Sequence, residues 1–157
     1  MILSHFSYNP LRFDPRLTYA MDAWNKPVGL WLSDESQRQS WSAWCRAEEY
    51  ATAGLRYRTD FSCDTEKWSV LDDEDKVVAF GETFTDPMNP EGLKIDWPRV
   101  AGRYSGIIIS PYQWNMRLHT RARWYYGWDC ASACVWDLST IKQITPSTQL
   151  ELAGEES

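Results

Sequence analysis

The apolar positions of this chain fall into short runs separated by polar and turn-forming stretches, and few of them repeat at helical spacing. "ILSHFS" at 2–7 has β character and breaks at "YNPLRFDP", where Asn9, Pro10, Asp14 and Pro15 are turn formers. "RLTYAMDAW" is compatible with a short helix, and "VGLWLS" predicts a second strand ending at Ser33. Beyond it, "SDESQRQSWSAWCRAEEY" offers Ser33 or Asp34 as a helix cap, Glu35 in the first turn, and Trp41, Trp44, Cys45 and Glu48 at helical spacing. The chain therefore opens as strand, loop, strand, helix.

Further along, "EKWSVLD" and "KVVAFGETF" read as two strands, or a strand and an irregular loop, on either side of a solvated "DDED" turn. "TDPMNPEG" is loop, and "DWPRVAGRY" predicts a short helix capped by Asp96 with Pro98 in its first turn. "GIIIS" gives the strongest buried-strand signal, three isoleucines bounded by Gly106 and a Ser110-Pro111 turn. "ACVWDLSTI" predicts another strand, and a last one is expected around Leu150. No repeat or linker divides the chain, so residues 1–150 are expected to form a single domain and 151–157 an acidic polar tail.

Composition narrows the function classes. A length of 157 residues suits one domain with a real core. With 16 Lys and Arg against 22 Asp and Glu, the charge of −6 opposes strong nonspecific nucleic-acid binding. No apolar run approaches the roughly 18 residues of a membrane span, and no signal-peptide pattern opens the chain, so no membrane partner and a cytoplasmic location are expected. Cys45, Cys63, Cys130 and Cys134 are expected as free thiols, and with only His5 and His119 beside them they match no zinc spacing, so no metal is expected. Ten tryptophans supply both core volume and faces on which planar ligands stack.

Three stretches carry candidate chemistry: "LSHFS" with His5 and Ser7, "GLWLS" with Trp31 and Ser33 ahead of the helix of Trp41 and Trp44, and "WDCASACVWD" with Asp129. In type and order they resemble the ADP-ribosyltransferase superfamily, whose members split NAD and pass ADP-ribose to an acceptor. The resemblance implies an α+β fold with a split, mostly antiparallel β-sheet, flanking helices and an NAD cleft between the sheet halves. It implies a mono-ADP-ribosyltransferase that takes NAD as substrate, needs no metal and modifies a macromolecular or small acceptor. A stand-alone domain of this size is analogous to a toxin or a phage-made inhibitor.

On this resemblance His5 anchors a ribose hydroxyl and Trp31 stacks on nicotinamide, gaining both ring contact and cation–π attraction. Ser7, Ser33 and Trp44 complete the pocket, with Trp41 competing for the place of Trp44. Arg12, or Arg16 in the same loop, meets the pyrophosphate. Breaking the ribose–nicotinamide bond develops positive charge on the sugar, so a fixed carboxylate, Asp129, stabilises the transition state. Three positions depart from the family. Phe6 follows His5 where Gly is common, Trp31 stands where many members have Tyr, and where Glu commonly leads into the late strand Ser132 stands next to it, with Asp129 three residues earlier. "RLHTRARW", with Arg117, His119, Arg121 and Arg123, is the densest basic segment and suits a pyrophosphate or an acidic acceptor. The alternatives are a noncatalytic interaction protein or inhibitor keeping the fold, and an aromatic-rich ligand binder using Trp114, Trp124 and Trp128. A cysteine enzyme using Cys130 or Cys134 lacks an identifiable histidine partner.

Overall fold

In the computed structural model, which describes residues 1–22 and 26–151, three consecutive isoleucines set the middle of the molecule. They form β5 (Gly106–Ile109), every residue of which is buried. Because side chains alternate along a strand, Ile107 and Ile109 enter one apolar core and Ile108 the other. A sheet with a core on each face explains why this segment reads as an unbroken apolar run.

The remaining strands are β1 (Ile2–Ser7), β2 (Leu30–Ser33), β3 (Tyr57–Cys63), β4 (Trp68–Leu71), β6 (Ser132–Val135), β7 (Ile141–Ile144) and β8 (Thr148–Gln149). Their order is β4-β5-β6-β2-β1-β3-β7, with β8 also pairing with β3. β4 and β5 run parallel and the other pairs are antiparallel, so the fold is α+β with a mostly antiparallel sheet. β1 matches β3 at six positions and β2 matches β6 at four, yet β1 meets β2 only at Ser4 and Ser33. Two ladders are thus joined in the middle by one bridge.

One face of the sheet is covered by α2 (Glu74–Phe84), α3 (Trp97–Ala101) and an aromatic segment that includes Trp124, Tyr125 and Trp128. The other is covered by Leu11, Phe13 and Tyr19 from the loop after β1, packed with Phe61, Trp68 and Leu138. Residues 16–22 of that loop are not helical, and Ala23 and Trp24 of the helix expected there lie outside the described residues. α1 (Trp41–Ala47) starts later than expected: its cap is Ser40, whose Oγ accepts from the Ala43 amide, and not Ser33 or Asp34.

The clearest correction concerns "KVVAFGETF", which is α2 and not a strand. Asp73 caps it by accepting from the Lys76 amide, and Glu74 and Asp75 occupy the first turn, where carboxylates meet the free N–H groups. Val77, Val78, Phe80, Gly81 and Phe84 then face the core at helical spacing. The acidic run is a helix start, and the paired valines gave it a strand-like look. "ACVWDLSTI" also divides: β6 ends at Val135, Asp137 caps a 3-10 turn over Leu138–Thr140, and β7 follows. "DWPRVAGRY" forms α3 with Asp96 accepting from the Arg99 amide, as the sequence predicts.

Candidate functional site

A cleft of about 260 Å³ opens where β1 and β2 share their single bridge. Its lining draws on three distant parts of the chain: His5 on β1, Trp31 and Ser33 on β2, and Asp129 with Ser132 at the entrance to β6. β2 lies between β1 and β6 in the sheet, so residues a hundred positions apart become neighbours. Ser33 stands in register with Ser4 on one side and Ser132 on the other.

The His5 ring is held by β2. Its Nδ1 lies 3.0 Å from the Trp31 carbonyl oxygen. A carbonyl only accepts, so Nδ1 carries the hydrogen, and in the neutral ring Nε2 is left as an acceptor. Nε2 has no hydrogen-bond partner among the described residues.

Trp31 leans on the buried Trp128, with ring centroids 5.1 Å apart and planes at 53°. The Lys26 ammonium sits 5.5 Å from the centroid of the Trp31 ring. That ring therefore already receives a cation on its π system, as a pyridinium would require. Lys26 was not singled out in the sequence. Its one signal is a basic residue close ahead of the strand that carries Trp31.

Ser33 is committed to the frame. Its hydroxyl donates to Glu35 Oε1 at 2.6 Å and accepts from the Trp41 amide at 2.9 Å. Glu35 in turn accepts from the hydroxyls of Ser40 at 3.3 Å and Ser42 at 2.5 Å. One carboxylate thus ties the end of β2 to the first turn of α1 and sets Trp41 in the cleft wall. Sequence reasoning saw Glu35 only as a first-turn acid, because the serines that surround it come from two elements.

Asp129 is partly exposed and faces Arg117, with Oδ1 and Nη2 3.9 Å apart, too long for a direct hydrogen bond. Its carboxylate therefore keeps lone pairs for a ligand. Ser132 begins β6, and its hydroxyl donates to the Cys130 carbonyl at 3.2 Å. Both candidates for the acid position line the cleft, and of the two only Asp129 carries a charge. Cys130 also lines it, and burial pushes its thiol up to about 12, which favours the protonated form at neutral pH.

Three proposed contacts fall outside the lining. The Ser7 hydroxyl donates to the Asn9 carbonyl at 2.7 Å, in the turn after β1. Arg12 is exposed in the following loop. Trp44 is stacked behind Trp41, with centroids 5.3 Å apart and planes 16° from parallel, so Trp41 is the ring at the cleft.

Among the described residues no group of three or more His, Cys, Asp or Glu is arranged to hold a metal ion, and no helix is long and apolar enough to cross a membrane. All four cysteines are free and buried. Comparison with known proteins returns no match: no family model, no curated protein and no solved structure matches the chain.

Proposed function

We propose that this protein is a mono-ADP-ribosyltransferase of the ADP-ribosyltransferase type, cleaving NAD at the nicotinamide–ribose bond and passing ADP-ribose to an acceptor. The observation that carries the reading is that His5, Trp31 and Asp129, chosen from separate stretches for one chemistry, line one cleft with Ser33 beside them. The cleft is smaller than the roughly 300–1,000 Å³ of ordinary ligand pockets. It therefore receives the nicotinamide and its ribose, with the remainder of the dinucleotide outside.

In this reading the pyridinium takes the place of the Lys26 ammonium over Trp31, and Lys26 moves toward the pyrophosphate. His5 Nε2 accepts from a ribose hydroxyl. As the glycosidic bond breaks, its electron pair leaves with nicotinamide, and Asp129 stabilises the positive charge left on the sugar. The four buried thiols fit work in a reducing compartment.

Nicotinamide release from NAD by the purified protein, with a cell lysate as a source of acceptors, tests the reading. Wild-type protein is expected to release it, and Asp129→Asn to lose about 10²–10³-fold in rate, the usual loss when a transition-state charge partner is removed. Asp129→Asn should still bind NAD, seen as quenching of tryptophan fluorescence. Absence of nicotinamide release by the wild type overturns the transferase proposal, and absence of quenching as well removes NAD as a ligand of the cleft.

A further inference from the structure

The basic segment that the cleft leaves unused builds a second groove. It has a volume of about 400 Å³ and is lined by Lys94, Arg117, Arg123, Tyr126 and Asn89, with no carboxylate in its wall. In a protein of net charge −6 such a wall is a local reversal of sign, and it favours an anion. The Arg117 guanidinium is within cation–π distance of two rings, 5.5 Å from the Trp114 centroid and 5.7 Å from that of Tyr126. Both residues are more than half exposed, at 59% and 58%, and of the two Tyr126 lines the groove.

Three buried polar atoms of groove residues have no partner among the described residues: the Nε donor of Arg117, the Nε1 donor of Trp124 and the Oδ1 acceptor of Asn89. Buried polar groups are nearly always satisfied, so the unpartnered donors and acceptor along this groove are met by ordered water or by a ligand that supplies both complements. Arg117 also joins the two sites, since its Nη2 is 3.9 Å from Asp129 in the NAD cleft. Arg123 donates from Nη1 to the Glu91 carbonyl at 3.1 Å, and Arg121 is paired with the Glu82 carboxylate, 2.6 Å away.

We infer that this groove is the acceptor site of the transferase proposed above, and that the acceptor is a nucleoside phosphate, either free or at the phosphorylated end of a strand. Its phosphate meets Arg117 and Arg123, its base stacks against the exposed Tyr126 ring, and an N–H or hydroxyl donates to Asn89 Oδ1. The groove has room for about one nucleotide, which agrees with a protein too acidic to hold a long phosphate backbone. In the transfer, the C1′–nicotinamide bond breaks with its electrons leaving on nicotinamide. A nucleophilic oxygen or nitrogen of the acceptor bonds C1′ and releases its proton to water.

Calorimetric titration with AMP, GMP, CMP and UMP, each beside its unphosphorylated nucleoside and beside inorganic phosphate, tests this without relying on turnover. At least one nucleotide is expected to bind at least tenfold more tightly than its nucleoside or phosphate. Arg117→Gln and Arg123→Gln, checked for unchanged melting, should each weaken it about tenfold, and Arg121→Gln should leave it unchanged. Saturating NAD should shift the affinity less than threefold, because the acceptor and NAD occupy separate sites. A 5′-phosphorylated tetranucleotide identifies the source: tighter binding than the mononucleotide means a strand end, and equal or weaker binding a free nucleotide, both within the proposal. No nucleotide binding overturns it, and so does displacement of the nucleotide by NAD. Nucleotide binding without any nicotinamide release would instead sink the transferase reading, so the two failures are distinguishable.

Discussion

The imidazole of His5 donates from Nδ1 to the Trp31 carbonyl, so β2 fixes the ring while Nε2 stays an acceptor. Replacing it by Phe keeps a ring of similar shape and removes both bonds. A net hydrogen bond is worth about 0.5–1.5 kcal/mol, so His5→Phe should weaken NAD binding by about two- to tenfold in a quenching titration. Trp31→Ala should weaken it by a similar amount, because cation–π contacts contribute about 0.5–2 kcal/mol. An unchanged Kd in both variants would remove these residues from the site. At this scale the sequence was informative wherever a residue type was unusual for its place: a histidine within a strand, a tryptophan in a half-buried strand, an aspartate at a strand entrance. It was silent on Lys26, on the serines that Glu35 ties together and on the orphan nitrogen of Arg117. Their roles depend on partners that folding brings to them and that no local pattern announces.

Among the elements, β2 sets the geometry of the cleft, and Gly29 sets how closely β2 approaches β6. A Cβ at Gly29 would lie 2.5 Å from the Val135 carbonyl oxygen and 2.9 Å from the Cys134 sulfur, so backbone would have to move. Gly29→Ala should therefore cost about 1–3 kcal/mol in denaturant unfolding, the range for overpacked sites, and weaken NAD binding through the displaced Trp31. The start of α2 gives a separate check on the corrected helix. Asp73→Ala removes the side-chain acceptor of the Lys76 amide and should cost about 1 kcal/mol, whereas at a solvated turn the same change would be nearly silent. The strand-like reading of this segment failed because β-branched residues suit strands in general. Here packing against Trp124, whose ring lies 5.0 Å from that of Phe80, outweighs that preference.

Across the whole molecule, burial holds a set of acidic hydrogens in place. It pushes the thiols of Cys45 and Cys63 up to about 11, that of Cys130 and the Tyr112 phenol up to about 12, and those of Cys134 and Tyr125 higher still. For each group the folded value lies above the unfolded one, so the unfolded chain loses its proton first as the pH rises. The stability these groups contribute is complete below pH of about 8.5, the usual thiol value, and is lost as the pH climbs through about 11 to 12. Melting temperature should accordingly hold between pH 7 and 8 and fall steeply by pH 10.5. A flat profile would contradict the burial. For the same reason a thiol reagent at pH 8 should label none of the four cysteines in the folded protein and all four in guanidinium.

The sequence by itself marked the candidate residue types and many of the local elements, though not β3, because strand alternation, helix caps and turn formers act within a few residues. It also marked the three adjacent isoleucines as a buried strand, and the structure showed that this strand is buried on both faces. Only the tertiary structure decided which strands are neighbours, and hence that His5, Trp31 and Asp129 meet. It alone decided that Ser7, Arg12 and Trp44 stand outside the cleft, and that Arg117 faces both the cleft and a second groove. The physical reason is range. Hydrogen bonding along the chain is fixed by near neighbours, whereas the pairing of β2 between β1 and β6 arises from burying two cores at once, a condition on the whole chain that no short stretch contains.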